Sequence, residues 1–276
     1  MRLIRTADEQ SYRYLTSEEL RRRFLVADLF QTGKVELVYT DVDRAIVGGA
    51  VPVDTPLGLE GGREMACSYF CERREVGIIN LGAAGTVAVD GSEYRLARQE
   101  CLYVSRGTRD IRFASDSVKT PACFYLVSYP AHTEYPTTHA GLEQANRIEL
   151  GSRKDANHRT IRQYIHLKGI RSCQLVMGFT ELHEGNVWNT FPPHTHDRRT
   201  EVYCYFDLPP QGCVLHLLGT PDETRHLVLH DKQVVLSPAW SVHSGVGTCS
   251  YRFVWAMGGE NQVFEDMDAV DLNQLE

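Results

Sequence analysis

Two successive series of short apolar runs place the strongest constraint on how this chain can fold. The first series extends over residues 75–131 and the second over residues 159–259, and both are rich in Val, Ile, Tyr and Phe. Gly, Pro, Asp and Asn separate the runs, a punctuation typical of an all-β protein. In the first series, "VAVDGSEYRL" has an Asp-Gly turn between two alternating segments, which indicates a β-hairpin. The sequence therefore predicts two β modules of similar length, either barrels or sandwiches.

The rest of the chain is organised around these two modules. One N-terminal helix is predicted, because Thr16 and Glu19 fit a capping box, Leu20 and Phe24 recur at helical spacing, and Gly33 is a suitable stop. The acidic tail that follows the second module is expected to be a short helix or an extended arm over the surface. The chain is thus predicted to divide into a helical and extended segment, a first module, a polar connector and a second module with the tail, at residues 1–35, 36–131, 132–158 and 159–276.

Composition narrows the classes of function. The net charge is -7 and the pI about 5.9, so there is no basic footprint for nucleic acid or for acidic membranes. No apolar run approaches the roughly 20 residues that a transmembrane helix needs. The first residues lack the apolar stretch of a secretion signal. We therefore expect a cytoplasmic protein whose eight cysteines are reduced thiols.

The stretch "FPPHTHDRRTEVYCYFD" concentrates metal-binding chemistry where a strand should begin. Alternate residues of a strand share a face, so His194 and His196 can reach one ion. Glu201 follows five residues later, and His243 lies in "SPAWSVHSG", on a segment that a barrel can return to the same place. Three imidazoles and one carboxylate suit zinc, and also Fe(II), Mn(II) or Ni(II). The remaining histidines of the second series are interpreted as hydrogen-bonded or solvated: His158, His166, His183, His216, His226 and His230.

These motifs resemble those of a known superfamily. The pattern H-x-H-x(4)-E, followed by Gly212 and then P-x-W-x-x-H, is similar to the two motifs of the cupin barrel. Two departures stand out: Gly185 precedes His194 by nine residues rather than six, and Trp240 occupies a position where cupins usually have Gly. The first module has a similar spacing of glycine turns and contains no histidine. It is therefore predicted to be a degenerate, metal-free cupin. The expected fold class is all-β, with two tandem jelly-roll barrels.

A closer resemblance covers most of the chain. The strings "PPHTHDRRTEVYCYFDLP", "VYTDVDRAIVGGAVP", "ANHRTIRQYIH", "CQLVMGFTEL" and "SPAWSVHSGVGT" are similar to the 5-keto-4-deoxyuronate isomerase family. The resemblance implies a homohexamer with one zinc ion per subunit, held by His194, His196, Glu201 and His243. It also implies an aldose–ketose isomerase of pectin breakdown. The expected reaction converts 5-dehydro-4-deoxy-D-glucuronate to 3-deoxy-D-glycero-2,5-hexodiulosonate.

That reaction requires two further kinds of residue. A guanidinium should bind the substrate carboxylate, because its planar fork matches two oxygens. Our candidates for this role are Arg162, Arg198 and Arg199. Moving the carbonyl from C1 to C2 also requires groups that transfer protons. Our candidates for proton transfer are Glu201, Tyr164 and Tyr203, with Tyr205 and Glu181 as further possibilities.

Two other functions stay open on the sequence. The first is another metal-dependent cupin enzyme, either an iron dioxygenase or a phosphosugar isomerase. A phosphosugar enzyme predicts a more basic pocket than this acidic chain suggests, and dioxygen uptake distinguishes the oxidative reaction from isomerisation. The second is a non-catalytic cupin that binds sugar or metal for storage or regulation. A regulator would normally carry a nucleic-acid-binding module, and no such motif is visible.

Overall fold

The computed structural model describes all residues, 1–276. One α-helix, α1 (Ser17–Phe24), is joined by short 3-10 helices at Ser11–Tyr14, Arg63–Met65, Phe70–Glu72, Leu142–Gln144 and Leu272–Gln274. The other regular elements are strands, and the predicted all-β class is confirmed. In chain order the strands are β1 (Arg2–Ile4), β2 (Leu25–Val26), β3 (Val35–Thr40), β4 (Ile46–Ala50), β5 (Leu57–Gly58), β6 (Arg74–Asn80), β7 (Gly85–Val89), β8 (Ser92–Leu96), β9 (Cys101–Val104), β10 (Ile111–Ser115), β11 (Phe124–Pro130), β12 (Thr138–Ala140), β13 (Asn146–Leu150), β14 (Arg159–Ile165), β15 (Val176–Leu182), β16 (Trp188–Asn189), β17 (His194–Thr195), β18 (Arg199–Phe206), β19 (Val214–Thr220), β20 (Glu223–Leu229), β21 (Gln233–Ser237), β22 (Ser244–Gly247), β23 (Arg252–Gly259) and β24 (Asp268–Ala269).

The strands belong to two compact units, and each unit is assembled from three segments of the chain. The first unit comprises Met1–Ile4, Asp28–Ala145 and Tyr164–Val176. The second comprises Arg5–Ala27, Asn146–Gln163 and Met177–Glu276. The domain ranges predicted from the sequence stay a prediction. They are continuous stretches of chain, whereas each compact unit combines three separate stretches. In particular, the predicted connector contains β12 and β13, which pair with β9 and β14 respectively.

The first unit packs a large sheet against a small one. The large sheet has the strand order β1-β3-β4-β11-β6-β9-β12, and the small sheet has the order β5-β10-β7-β8. Their facing side chains form one apolar core, in which Val76 and Ile78 of β6 join Val87 of β7 and Phe113 of β10. Burial of this apolar surface is the main stabilising contribution in such a sandwich.

The second unit repeats this arrangement of a seven-stranded and a four-stranded sheet, although its edge strand β13 pairs antiparallel where β1 pairs parallel. Its large sheet has the order β13-β14-β15-β23-β18-β21-β2, and its small sheet the order β16-β22-β19-β20. The fifth strand of each large sheet has corresponding neighbours: β6 lies between β11 and β9, and β18 lies between β23 and β21. The two units are therefore structural duplicates.

Local sequence chemistry accounts for the predicted hairpin. Strands β7 and β8 pair antiparallel, with Val89 opposite Ser92. Asp90 and Gly91 between them have φ values of 46° and 84°. Positive φ at both central residues is the geometry of a type I′ turn, which suits the twist of the flanking strands and favours Asp-Gly. The hairpin prediction is confirmed.

The N-terminal helix begins as predicted and ends earlier. Thr16 and Glu19 form the capping box, with the Thr16 N–H donating to Glu19 Oε2 across 2.8 Å. The helix stops at Phe24, and residues Leu25–Val26 pair at once with β21 of the second unit. The predicted stop at Gly33 was therefore wrong, because the backbone of Leu25–Val26 pairs with β21 and does not continue the helix. This helix is eight residues long. None of the helices has the combination of length and hydropathy that a membrane span requires.

A buried carboxylate organises the segment that leads into β15. Glu75 is fully buried and accepts a hydrogen bond from the Tyr103 hydroxyl at 2.8 Å. Its two oxygens also accept from the backbone N–H groups of Cys173, Gln174 and Leu175 at 2.7 to 2.9 Å. Four donors therefore satisfy one carboxylate, which is what a buried charge without a cationic partner requires.

We expect Glu75→Gln to lower the free energy of unfolding by about 3 kcal/mol, because hydrogen bonds to a charged group contribute about 1.5–3 kcal/mol each and an amide cannot accept with its nitrogen. Urea unfolding of the purified protein measures the change. Glu143→Gln, at an exposed position, is the matched control and should shift the value by less than about 0.5 kcal/mol. An equal, small effect of both substitutions would show that the four hydrogen bonds do not stabilise the fold.

Candidate metal centre

Four potential metal ligands converge in the second unit. His194 lies on β17, His196 follows that strand, Glu201 lies on β18, and His243 lies just before β22. One ligand atom from each residue lies within 4.8 Å of all the others. The structure thus brings together all four residues that the sequence singled out, although they are separated by up to 49 positions along the chain.

Hydrogen bonds at the far side of two rings turn their lone pairs toward the centre. The Nδ1 of His196 lies 2.8 Å from the Arg199 carbonyl, and that of His243 lies 3.2 Å from the Ser241 carbonyl. Since carbonyls only accept, both Nδ1 atoms carry hydrogen, and each neutral ring then presents a bare Nε2. The Nε2 of His196 faces a Glu201 oxygen at 3.3 Å, and that of His243 faces another Nε2 and the same carboxylate, each at 3.0 Å. Such acceptors repel one another unless a proton or a cation lies between them.

Burial and mutual charge shift the titration of the cluster. Burial and the neighbouring His243 lower the pKa of His194 to about 2. Burial opposes ionisation of Glu201, yet the charge of His243 and the hydrogen bonds from His243 and His196 hold the pKa of this carboxyl below its usual value. Burial also opposes a charge on His196, and its hydrogen bond to Glu201 outweighs this and raises its pKa. Without a cation, the cluster therefore retains protons around an ionised carboxylate, and metal binding should release them. The donor set fits a divalent transition metal.

A cavity of about 210 Å³ opens beside the cluster. His194 and Glu201 lie on its wall with Tyr203, whose hydroxyl is 3.0 Å from Thr190 Oγ1. Burial and the Glu201 charge raise the pKa of Tyr203 well above its ordinary value. Tyr203 is therefore a hydrogen-bond donor and not a base at neutral pH. Aromatic and apolar side chains complete the wall, including Ile161, Phe253, Trp255, Met257, Phe264 and Met267.

Two arginines line this cavity. Arg199 is 1% exposed and donates to the carbonyls of Val263 and Asp266, both at 2.5 Å. Arg159 donates to the Asn157 carbonyl at 2.8 Å and has no carboxylate partner. Burial lowers the pKa of both guanidinium groups. The cavity thus combines the His/Glu cluster with two guanidinium groups. Arg199 interacts with the charges of Glu201 and Asp266, whereas Arg159 has no acidic partner.

Three residues proposed from the sequence do not reach the cavity. Arg162 lies on β14 with Arg159, but three positions along a strand reverse the face, and Arg162 points away from the cavity. Arg198 is bound to the carboxylates of Asp266 and Asp268. Tyr164 donates its hydroxyl to the Gln99 carbonyl in the first unit. Among the further possibilities, Glu181 pairs with Arg252, and Tyr205 lies at 2.7 Å from His216.

The acidic tail forms part of the site, which the sequence did not indicate beyond an extended arm. Strand β24 pairs with β17, placing Ala269 opposite His194. The ion pairs of Arg198 hold this segment, because Asp266 accepts from both Nε and Nη2 of the guanidinium. Phe264 and Met267 of the tail then lie on the cavity wall. No local pattern predicts such a pairing, since a two-residue strand forms only against a partner.

The unusual Trp240 is explained by the N-terminal segment. Its ring lies 4.9 Å from that of Tyr12 and 6.4 Å from that of Phe24, centroid to centroid. Tyr12 is fully buried and bonds Thr220 and Glu223 through its hydroxyl. The segment that precedes the first module therefore supports the turn that carries His243.

A second cluster of metal-binding residue types lies on the other side of β14. Glu149 Oε2 lies 3.1 Å from His158 Nε2 and 3.3 Å from His183 Nε2. The two rings are stacked, with centroids 4.1 Å apart and planes only 10° from parallel. An ion in the plane of one ring would lie well out of the plane of the other, so one metal cannot take both lone pairs. This cluster is a hydrogen-bonded group, which agrees with the sequence interpretation of both histidines.

Both units pack a seven-stranded sheet against a four-stranded sheet. One of them carries three imidazoles and a carboxylate beside an open cavity. This arrangement defines a cupin with two barrels and a single candidate metal centre. Solved structures agree on this fold. An IolB-like protein from Salmonella typhimurium superposes with a TM-score of 0.73 at 15% identity, covering 90% of this chain and 96% of the other. A variant of the Bacillus subtilis oxalate decarboxylase gives a TM-score of 0.60 at 9% identity, covering 87% and 78% respectively.

Sequence comparison establishes the family. Residues 24–274 match the model of the KduI/IolB family. The 4-deoxy-L-threo-5-hexosulose-uronate ketol-isomerase of Caldicellulosiruptor bescii is 51% identical over 264 residues, which is 96% of each chain. The chain belongs to the KduI/IolB family. It is an enzyme of the ketol-isomerase class, an intramolecular oxidoreductase.

If the cluster binds a divalent metal, His243→Ala should weaken the binding of zinc, used here as the probe, by more than roughly 10- to 100-fold. Loss of a partner behind a ligand costs about that factor, and this substitution removes one of the four donors of the cluster. Equilibrium dialysis with zinc, followed by elemental analysis, measures the affinity. His226→Ala, at an exposed position of β20, is the control and should bind as the wild type does. Unchanged zinc affinity in His243→Ala would remove this residue from the ligand set, and unfolding of the variant would make the metal structural.

Proposed function

We propose that this ketol-isomerase acts on 5-dehydro-4-deoxy-D-glucuronate and yields 3-deoxy-D-glycero-2,5-hexodiulosonate, with one zinc ion per chain, in the breakdown of pectin. The names of relatives about half identical over nearly the whole chain support the substrate. The observation that carries the proposal is the cavity itself, which is lined by His194 and Glu201 of the cluster and by Arg159, an arginine without an acidic partner. A homohexamer and a cytoplasmic location, which the family resemblance implies, are part of the same proposal.

The ligand set proposed for zinc is His194, His196, Glu201 and His243. A bound divalent cation would supply a Lewis acid that polarises substrate oxygens and stabilises developing negative charge. Four protein ligands leave room for substrate oxygens in a five- or six-coordinate site, which suits catalysis better than a closed structural site. Burial of His196 and His243, each 1% exposed, removes water that would otherwise weaken these interactions.

The substrate carboxylate is assigned to Arg159, supported by Arg199. Both terminal nitrogens of Arg199 donate hydrogen bonds to backbone carbonyls. Arg159 donates only one hydrogen bond to a carbonyl, so other N–H groups of its guanidinium are available to a ligand. An anion bound there would relieve the cost of burying an unpaired guanidinium. The carboxylate then orients the sugar so that its carbonyl end lies toward the His/Glu cluster.

The reaction moves two protons and no net charge. One proton leaves C2 and returns to C1, and a second passes from the oxygen on C2 to the oxygen on C1. Glu201 and Tyr203 are the titratable groups of the cavity wall, along with His194 and the arginines. We assign donation to a substrate oxygen to the Tyr203 hydroxyl, which stays protonated. Glu201 is assigned to the metal rather than to proton transfer, because a carboxylate that stays ionised and holds a cation is a poor base.

Metal content and activity measured together test the function. We expect about one zinc per chain by elemental analysis and formation of the 2,5-diulosonate from the uronate, followed by NMR. Chelation should abolish turnover, and zinc should restore it. Full isomerisation by metal-free protein would refute the metal-dependent proposal. Iron with dioxygen consumption would instead identify an oxygenase.

The assignment of Arg159 has a separate test. Because hydrogen bonds to charged groups are worth about 1.5–3 kcal/mol, Arg159→Met should reduce kcat/KM by roughly 10- to 100-fold, mainly through KM. Arg162→Met, on the opposite face of the same strand, should change kcat/KM by less than about threefold. Steady-state kinetics of both purified variants decides between the two arginines. A larger loss in Arg162→Met would favour the residue that the sequence proposed.

A further inference from the structure

The first unit retains a cavity where the second unit has its metal centre. Strand β6 corresponds to β18 in the matched strand order, and the sequences that lead into them are alike: "ERREV" at 72–76 and "DRRTEV" at 197–202. Both strands begin with the second arginine of the pair, Arg74 and Arg199. Arg74 shares its face of β6 with Val76 and Ile78 of the core, so it points into the barrel as Arg199 does.

The cavity above Arg74 has a volume of about 260 Å³ and is basic. Arg44 and Arg73 line it together with Arg74, and Glu64 is the only acidic residue on its wall. Tyr39 also lines the cavity, and it lies on β3, the strand that corresponds to β14 of the second unit. No histidine lies on the wall, so the cavity cannot hold a metal as the second unit does.

Arg74 is buried without a counter-ion. It is 6% exposed, and its Nε and Nη2 donate to Ser128 Oγ at 3.1 Å, the Ser128 carbonyl at 2.7 Å and the Arg44 carbonyl at 2.7 Å. All three acceptors are uncharged. Burial lowers the pKa of the guanidinium to about 10, yet it stays protonated at neutral pH. A buried charge of this kind is costly unless an opposite charge joins it.

No carboxylate of the chain forms an ion pair with Arg74. Glu64, the one acid on the wall, is exposed and makes no ion pair with Arg74. Arg73 donates to the Met65 and Ala66 carbonyls, so it too is bound to uncharged acceptors. The Arg74 guanidinium lies 5.9 Å from the centre of the Tyr39 ring, which contributes a weaker, cation–π attraction. Three guanidinium groups therefore surround a space that is lined by one carboxylate.

We propose that this cavity is a second, non-catalytic binding site for a small oxyanion, the carboxylate of a sugar acid or a phosphate group. Arginine presents parallel N–H donors that match either group. The site is separate from the metal centre and does not depend on the substrate assigned above. It gives the first unit, which contains neither candidate metal cluster, a binding role of its own.

Two probes separate the carboxylate source from the phosphate source: D-gluconate, which has no carbonyl to isomerise, and inorganic phosphate. Calorimetric titration of each into Arg159→Met removes the unpaired arginine of the metal-site cavity from the measurement. We expect saturable binding of at least one probe, weakened at least tenfold when Arg74→Met is added. Arg95→Met, at an exposed ion pair of the same unit, is the matched control and should leave binding unchanged. Arg74→Met alone should retain the isomerase kcat/KM of the wild type.

Arg74→Met also removes three hydrogen bonds, so circular dichroism and thermal unfolding must accompany the titration. If that variant does not fold, Arg44→Met and Arg73→Met decide the question, since both side chains are exposed and each should weaken binding several-fold in a folded protein. Tighter binding of gluconate identifies a sugar acid as the ligand class, and tighter binding of phosphate identifies a phosphate ester. The proposal is overturned if neither probe binds, or if binding is the same in the folded arginine variants as in the control.

Discussion

Acceptor atoms that face one another at 3.0 to 3.3 Å repel unless positive charge lies between them, and the second unit depends on this constraint. Backbone carbonyls of Arg199 and Ser241 hold the rings of His196 and His243 in the orientation that creates it. These carbonyls belong to β18 and to the turn before β22, so the sheets themselves orient the ligands. The backbone thus assembles a cluster whose donor set fits a divalent cation.

The same barrel appears twice with different chemistry at its open end. Matching strands place Arg74 and Arg199 at corresponding positions, and both donate to uncharged oxygens rather than to carboxylates. In the second unit a glutamate two positions along the strand joins three histidines. In the first unit the corresponding face continues with Val76 and Ile78, so that barrel fills with apolar core below its arginines. The N-terminal segment and the tail complete the unit that contains the candidate metal centre, through Trp240 and β24 respectively.

Alternate residues of a strand share a face, and this alternation explains which of the predicted site residues of β14 and β18 line the cavity. Glu201 and Tyr203 are two positions apart on β18 and share a face, as the sequence indicated. Arg162 was one of the three arginines proposed to bind the substrate carboxylate, but the residues of β14 that face the cavity are Arg159 and Ile161. The exact start of the strand decides which arginine faces inward, and a sequence pattern does not define it. Arg198 was placed near the ligands by sequence distance, yet its side chain is occupied by two acids of the tail.

The sequence by itself determined the all-β class, the capping box, the Asp-Gly hairpin and the four residues that meet in the cluster. Each of these follows from local chemistry or from motifs in which residue type and spacing carry the information. Only the tertiary structure decided that α1 ends in a strand of the second unit, that the tail forms a cavity wall, and that Arg159 faces the site while Arg162 does not. These features depend on pairing between segments far apart in the chain, because a strand edge or an ion pair acquires its partner only when the sheets have assembled.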